Sequence, residues 1–398
     1  MRSLLKNKLF AIPLLCLVVF YSGHAFQTIY PTFGFLIFIP AIICLAFLFL
    51  DKECRYLSYS HNIALYVLLV MIVATLFVEL GSDWMFYVQL AALILTAYLV
   101  VHIYSFDVMV KVYLRLMTIV SAVAIVGYFL INNTSALEWL PSVNNINGVE
   151  YGVGIIFNYI KFIPERNCGM FWEPGLFATH LIIATVFELV TKEKANPFRL
   201  ILFTAGIFTA NSSAGFVLWF LCVALFLVRK KSEKYGIIKG IFSITVFAAV
   251  FLVIMNFDFI LENTFLGENE YFLKLSSDAM EESSRSLAII HNLKMFISDP
   301  IFGVGYTTTM QNIAYVADTS TSTFLMSIFG VLGVSFTVFI VYGIMRIKKV
   351  SLFSRFIILA IALIIINKEP HYMILFTWII MFYLLKGVEN NDIQVSNG

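Results

Sequence analysis

The sequence predicts an all-α integral membrane protein of about twelve transmembrane helices with two long outer loops. Composition, the recurrence of long apolar runs and the sidedness of the basic residues carry that reading. Hydrophobic residues fill 61% of the 398 positions and charged residues 13%, against about 25% charged in soluble domains. So few polar residues cannot coat a soluble core. Apolar runs of about 20 residues recur from end to end, each able to cross a hydrocarbon layer of about 30 Å. A net charge of +2 gives no electrostatic footprint for a nucleic-acid partner.

Hydropathy places spans at 9–26, 30–50, 62–80, 84–104, 112–131, 174–190, 198–211, 213–228, 236–256, 322–345, 352–367 and 370–386, within a single integral-membrane domain covering 1–398. The first run follows Arg2, Lys6 and Lys8. Gly23-His-Ala25 loosely resembles a cleavage site, but the segment is read as a retained first helix. The pair that meets near Asn211 also fits a broken or re-entrant element.

Basic residues test this map independently. With the N-terminus inside, only Lys161, Arg166, Lys274, Arg285, Lys294 and Lys368 of the 26 Lys and Arg residues lie outside, which leaves 20 inside. All of the six but Lys368 sit in the two long loops, which weigh little in the positive-inside rule. The short-loop ratio is therefore 20 to 1. One added or missing helix would reverse the bias downstream of it.

The outer loops, 132–173 and 257–321, are rich in aromatics, Pro and Gly and read as folded, functional segments. The five cysteines, Cys16, Cys44, Cys54, Cys168 and Cys222, offer no disulfide framework. No outer segment offers an Asp-x-Asp or a His/Cys ligand set, so a transferase here is expected to work without metal or other cofactor. There is no internal repeat, and no matched pair of broken helices of the kind transporters use.

The first loop ends in Glu165-Arg-Asn-Cys-Gly-Met-Phe-Trp-Glu-Pro-Gly175 and leads directly into a span. Pro174 suits the first helical turn, which places Glu173 at the cap. The N-terminal amides and dipole there favour an anion, and Arg166 can supply a two-pronged contact to it. A plain helix cap with a surface Arg–Glu pair fits the same spacing.

In the second loop Asp278-Ala-Met-Glu281 resembles a capping box. Leu287, Ile290, Leu293 and Ile297 form an apolar stripe, with Arg285 and Asn292 on another face. Asp299-Pro300 stops that helix. Gly303-Val-Gly305 and Tyr306 follow, a sequence able to curl its amides toward an anion. The helix fits equally an interfacial position, with Arg285 and Lys294 on lipid headgroups. His371, beside Lys368 and Glu369 at the outer start of the last span, is the histidine best placed for chemistry; it also fits an interfacial anchor.

Together these motifs resemble the bacterial O-antigen polymerase and ligase superfamily. Arg166-Asn-Cys-Gly169 with Phe171-Trp-Glu-Pro-Gly175 is similar to its arginine–glycine–glutamate–proline signature. Arg285 with its helix, then Asp299-Pro-Ile-Phe-Gly-Val-Gly305, looks like its second outer loop. Ser322-Thr-Phe-Leu and Phe329-Gly-Val-Leu-Gly-Val334 are similar to its lead into the next span. Asn211-Ser-Ser-Ala-Gly215 takes the place of a serine-rich break, without the arginine common there.

The resemblance implies a GT-C-like glycosyltransferase that polymerises undecaprenyl-pyrophosphate-linked oligosaccharide repeat units into surface polysaccharide. It would work at the periplasmic face of the inner membrane, both termini cytoplasmic, among membrane lipid and alongside a Wzz-type chain-length regulator and a Wzx-type flippase. Ligases of the superfamily usually carry a histidine just before the span near Ser322. Here the segment reads Asp318-Thr-Ser-Thr-Ser322, which favours a Wzy-type polymerase over an O-antigen ligase. Arg166 and Arg285 would stabilise the leaving pyrophosphate. Glu173 and then Asp318 are the candidate bases. Gly303, Gly305, Tyr306, Lys294 and His371 would bind substrate. A lipid-linked oligosaccharide flippase also fits the size, but needs polar residues at mid-membrane, and the spans carry few.

Overall fold

The computed structural model describes residues 16–30, 39–43, 59–78, 83–145, 147–192, 194–228, 284–311 and 317–387. The expected span at 236–256 and the Asp278–Glu281 capping box lie outside the described residues, as do parts of the first two spans. The chain is mostly helical. Three helices among the described residues are long and apolar enough to cross a membrane: α2 (Trp84–Ile103), α3 (Phe106–Asn133) and α4 (Pro174–Thr191). They follow α1 (Tyr59–Val78). At 1.5 Å per residue, the 28 residues of α3 reach about 42 Å, longer at both ends than the expected 112–131.

The chain divides into two compact units. The one formed by 117–287 and 349–364 corrects the all-α expectation. Its first outer loop folds as a three-stranded antiparallel sheet, β1 (Ser142–Asn144), β2 (Glu150–Val153) and β3 (Asn158–Ile160), in the order β1-β2-β3. The strands are three or four residues long, too short for period-two hydropathy to show against an apolar background. From the loop the chain enters α4 through Pro174 at its first turn.

A tight helical hairpin follows, α5 (Pro197–Ala210) and α6 (Ser213–Val228). Asn196 caps α5, its side chain accepting from the amides of Phe198 and Arg199. Asn211 ends α5 in the left-handed region, φ 47°, a conformation that Asn tolerates better than most residues. The indole of Trp219 donates to Thr204 Oγ1 at 3.1 Å, so the two helices lie side by side. With 14 and 16 residues they reach about 21 and 24 Å, short of a hydrocarbon layer.

The other unit, 1–116 with 288–348 and 365–398, packs α1 and α2 with α9 (Thr321–Phe329), α10 (Val331–Met345) and α12 (Leu375–Lys386). Its core is aromatic: Trp378, Tyr87, Phe324, Phe329, Phe336 and Phe376 are fully buried. The Tyr383 hydroxyl donates to Tyr104 O at 2.9 Å and Lys386 Nζ to Val101 O at 2.8 Å. A cation thus sits on the carbonyl end of α2, where the dipole favours it, and the C-terminal ends of α2 and α12 lie together.

Three expected spans differ in this unit. The run at 9–26 leaves its helix after Phe20 and turns through 21–25, where His24 stacks on Phe20 with centroids 3.9 Å apart. The run at 322–345 is two helices, α9 and α10, broken at Gly330. The last span starts at Leu375, after a 3-10 turn at His371–Met373.

Candidate functional site

In the sheet-bearing unit the segment 166–175 is fastened along its length. The Asn167 amide donates to Thr209 O at 3.0 Å, and its side chain donates to Ala124 O (3.0 Å) and Thr209 Oγ1 (3.1 Å). The loop is therefore tied to the tip of the α5–α6 hairpin. Asn167 Oδ1 also accepts from Gly169 N at 2.9 Å. Asn158 on β3 donates from its backbone to Gly169 O (2.6 Å) and from its side chain to Met170 O (2.8 Å). The Tyr151 hydroxyl on β2 donates to Trp172 O at 2.5 Å. Gly169 adopts φ 57°, and a Cβ there would lie 2.8 Å from the Phe177 ring, so the glycine is required twice over.

Glu173 stands at the cap of α4 in extended conformation, φ −151° and ψ 157°. Its carbonyl accepts from Phe177 N at 3.2 Å, while its side chain makes no capping bond. The cap position is as expected. Arg166 and Glu173 are both half-buried. Both charges are felt at the Cys168 thiol, which burial above all pushes up to about 12; Glu173 adds to that rise and Arg166 opposes it. The thiol donates to Asn158 O at 3.0 Å. The segment thus holds an arginine and a carboxylate around a buried neutral thiol, on a loop with little freedom to reorganise.

In the other unit, which takes all but its first turn, α7 (Ser284–Ser298) buries its polar face. Ala288, His291 and Asn292 are covered, whereas Leu287, Ile290, Leu293, Ile297 and Lys294 are exposed. His291 Nε2 shares a hydrogen bond with Thr309 O at 3.1 Å, and Asn292 Nδ2 donates to Thr323 Oγ1 at 3.3 Å. The apolar stripe faces outward because the polar face finds its partners inside, the reverse of a soluble helix and a fit to a lipid-facing position. Arg285 lies in the first turn of α7, seven residues before Asn292 and so on nearly the same helix face by backbone position.

The glycine-rich turn does not present its amides outward. Gly303 N donates to Asp299 O (3.0 Å), Val304 N to Ser327 O (2.8 Å) and Tyr306 N to the Tyr87 hydroxyl (3.0 Å). Gly303 and Gly305 both adopt φ 78°. The anion cradle expected from these glycines is thus corrected: the turn fastens α8 (Gly305–Gln311) to α2 and α9.

Asp318 lies in a 3-10 turn, Ala317–Thr319. It accepts from the Tyr372 hydroxyl at 3.4 Å, and burial holds its carboxyl above the usual carboxylate range. Around it runs a polar network. Ser320 Oγ donates to Asn367 Oδ1 (3.0 Å), Ser322 N to the same oxygen (3.3 Å), and Thr321 Oγ1 to Glu369 O (2.9 Å). Lys368, Glu369 and His371 are buried. Lys368 Nζ lies 3.9 Å from Glu369 Oε1, and His371 Nδ1 shares a 2.8 Å hydrogen bond with Thr377 Oγ1. His371 is therefore part of a packed turn instead of an interfacial anchor.

Tyr372 and Asn367 enter the network without having stood out for chemistry in the sequence; only the polar run Asn367-Lys-Glu-Pro-His371 between two spans marks part of it. Among the described residues no three His, Cys, Asp or Glu side chains gather as a metal site. No protein-family model, curated protein or solved structure matches the chain.

Proposed function

We propose that the chain is a Wzy-type polymerase, a GT-C-like glycosyltransferase with about twelve spans. It would join undecaprenyl-pyrophosphate-linked oligosaccharide repeat units at the periplasmic face of the bacterial inner membrane. The observation that supports this best is the fastening of 166–175: an arginine and a carboxylate on a preorganised loop, at the head of an apolar helix long enough to span. Stabilising charge as it develops on a leaving group requires groups that need not move to do so.

In this reading the acceptor hydroxyl oxygen attacks the anomeric carbon and the bond to the pyrophosphate oxygen breaks. The electron pair departs with the prenyl pyrophosphate, and the hydroxyl proton passes to a carboxylate. Arg166 and Arg285 are assigned to the departing charge, and Glu173, or in its place Asp318, to the proton. Of the two carboxylates, Asp318 combines burial with a raised proton affinity, the property a base needs near neutral pH. Attack opposite the leaving group inverts the anomeric carbon. The aromatic surface supplied by 40 Phe suits a prenyl tail.

Deletion followed by sizing of the surface polysaccharide tests the proposal. Single repeat units on the lipid core are expected. A bare core with polymer retained on the prenyl carrier would identify a ligase instead. Purified protein with synthetic lipid-linked repeat units should form polymer; movement across liposomes without bond formation would identify a flippase.

A further inference from the structure

Among its described residues the first outer loop leaves four large apolar side chains exposed: Trp139 (75%), Ile155 (73%), Ile156 and Phe162. Ile155 and Ile156 form the tip of the β2–β3 hairpin. Gly154 N closes that tip, donating to Phe157 O (3.0 Å) and Asn158 Oδ1 (2.9 Å). Trp139 lies at the same end of the sheet. Val153 N donates to Pro141 O at 2.9 Å, and a Cβ on Gly154 would lie 3.8 Å from the Leu140 side chain. The opposite turn, between β1 and β2, is polar. There Asn145 Oδ1 accepts from the amides of Asn147 and Val149, both at 2.9 Å, and Glu150 pairs with Lys161 at 3.0 Å.

Contacts with α3 set the height of the hairpin. The apolar run of α3 ends at Ile131, before Asn132 and Asn133. The Phe157 ring packs on Gly127, where a Cβ would lie 2.8 Å from it, four residues or about 6 Å inside that boundary. Pro164 O accepts from Asn132 Nδ2 at 3.1 Å, which puts nearby Phe162 close to the boundary itself. Beside Gly127, Val126 and Phe129 are exposed on α3. A spanning helix turns such side chains to lipid, so the exposed side chains of the sheet continue a lipid-facing surface.

We infer that Trp139, Ile155 and Ile156 dip into the bilayer at the boundary between headgroups and acyl chains, and that the β2–β3 hairpin anchors the sheet there. A cluster of exposed apolar side chains marks an interaction surface, and the membrane interface is where a tryptophan with one wet and one apolar side is favoured. The tip goes no deeper than the boundary, because the amides and carbonyls of a turn need water or headgroups, and hydrocarbon supplies neither. The polar β1–β2 turn stays in water. Asn158, at the base of the hairpin, holds Gly169 O (2.6 Å) and Met170 O (2.8 Å), so the anchor also fixes the height of the 166–175 segment against the bilayer. The lipid contact stands independently of the function proposed above.

Trp139 reports on its own surroundings. The full-length wild type and Trp139→Phe are placed in phosphatidylcholine vesicles, with and without phosphatidylcholine brominated near the head of its acyl chains. The emission lost in the variant belongs to Trp139, and bromolipid should quench it more strongly than aqueous iodide does. Stronger quenching by iodide overturns the inference by placing the ring in water. Quenching by neither overturns it by placing protein, such as a second copy of the chain, over the ring. A nitroxide on Ile155→Cys, in a chain whose five native cysteines are replaced by serine, probes the hairpin tip. It should collide more with oxygen, which concentrates in lipid, than with a water-soluble nickel complex. The same label on Asn147→Cys should show the reverse. Water-like collisions at Ile155, or lipid-like collisions at both positions, overturn the anchor. If the serine-substituted chain does not fold, the Trp139 quenching, read in the protein with its native cysteines, decides alone.

Discussion

Gly303 and Gly330 cross backbone against backbone: a Cβ on Gly303 would lie 2.3 Å from the Ile328 carbonyl oxygen, and one on Gly330 2.4 Å from that of Ile301. Both residues adopt positive φ, 78° and 60°. The crossing fixes the glycine turn against the break between α9 and α10, with Val331 N donating to Pro300 O at 2.8 Å.

Gly303→Ala and Gly330→Ala should each destabilise by more than about 2 kcal/mol, the sum of left-handed strain and a contact with rigid backbone. Gly148 supplies the comparison, because it shares φ 78° but has nothing within 4 Å; Gly148→Ala should cost only about 1 kcal/mol. Thermal unfolding of the purified variants in detergent measures the difference. Equal losses at Gly148 and Gly303 would mean that backbone conformation alone matters and the close crossing does not.

Much of this architecture was legible in the sequence, for a simple reason. Apolar length is a property of whole segments and survives small boundary errors. The cap of α4 at Glu173-Pro174 and the break at Asn211 are written in local residue chemistry. The break at Gly330 was hidden because Ser322 to Met345 carries no charged residue, and its three glycines, Gly330, Gly333 and Gly343, read as tolerated packing. The small sheet was hidden by its short strands. The polar network of Asp318, Tyr372 and Asn367 joins residues about 50 positions apart, a pairing that only the fold can show. The glycine turn misled because paired glycines serve equally to admit an anion and to admit another backbone.

Topology can be checked by reporter fusions. Fusions after Asn133 and Asp278 should report the periplasm, and those after Lys194 and Lys231 the cytoplasm, as the 20-to-1 basic asymmetry requires. A cytoplasmic signal at Asp278 would reverse the map and remove the outer-face function.

Asp318 should make stability depend on pH in a defined direction. Burial raises its carboxyl above the ordinary value, so the folded state favours the protonated form. The resulting stabilisation is fully present below the unfolded-state value, about 3.9, and is lost as pH rises through the raised folded value. Asp318→Asn holds a neutral side chain throughout. Its unfolding temperature should therefore gain on the wild type as pH climbs from about 4 toward neutrality. Parallel profiles for the two proteins would place the carboxylate in ordinary solvent.

Metal dependence separates the arginine assignment from a cation-assisted one. In-vitro polymerisation should persist in EDTA. Loss of activity that magnesium restores would transfer the charge-stabilising role from the arginines to a bound ion.

The arginines themselves give the most direct test. Under the proposed function, Arg166→Ala and Arg285→Ala should each reduce turnover by about 10²–10³, the scale for losing one preorganised transition-state donor. Lysine at either position should restore activity only in part, because it keeps the charge and loses the planar two-pronged contact. The two positions differ in the control each needs. Arg166 is half-buried on a loop fastened by Asn158 and Asn167, so its variants must be compared at matched membrane levels. Arg285 shares a helix with the outward apolar stripe of Leu287, Ile290 and Ile297. If it served only to hold that helix at lipid headgroups, Arg285→Lys would be fully active and Arg285→Ala would lose at most about 1 kcal/mol of surface attraction. Full-length polysaccharide ladders from Arg285→Ala cells would therefore withdraw that residue from catalysis. The same result at Arg166 would leave the superfamily resemblance without its chemistry.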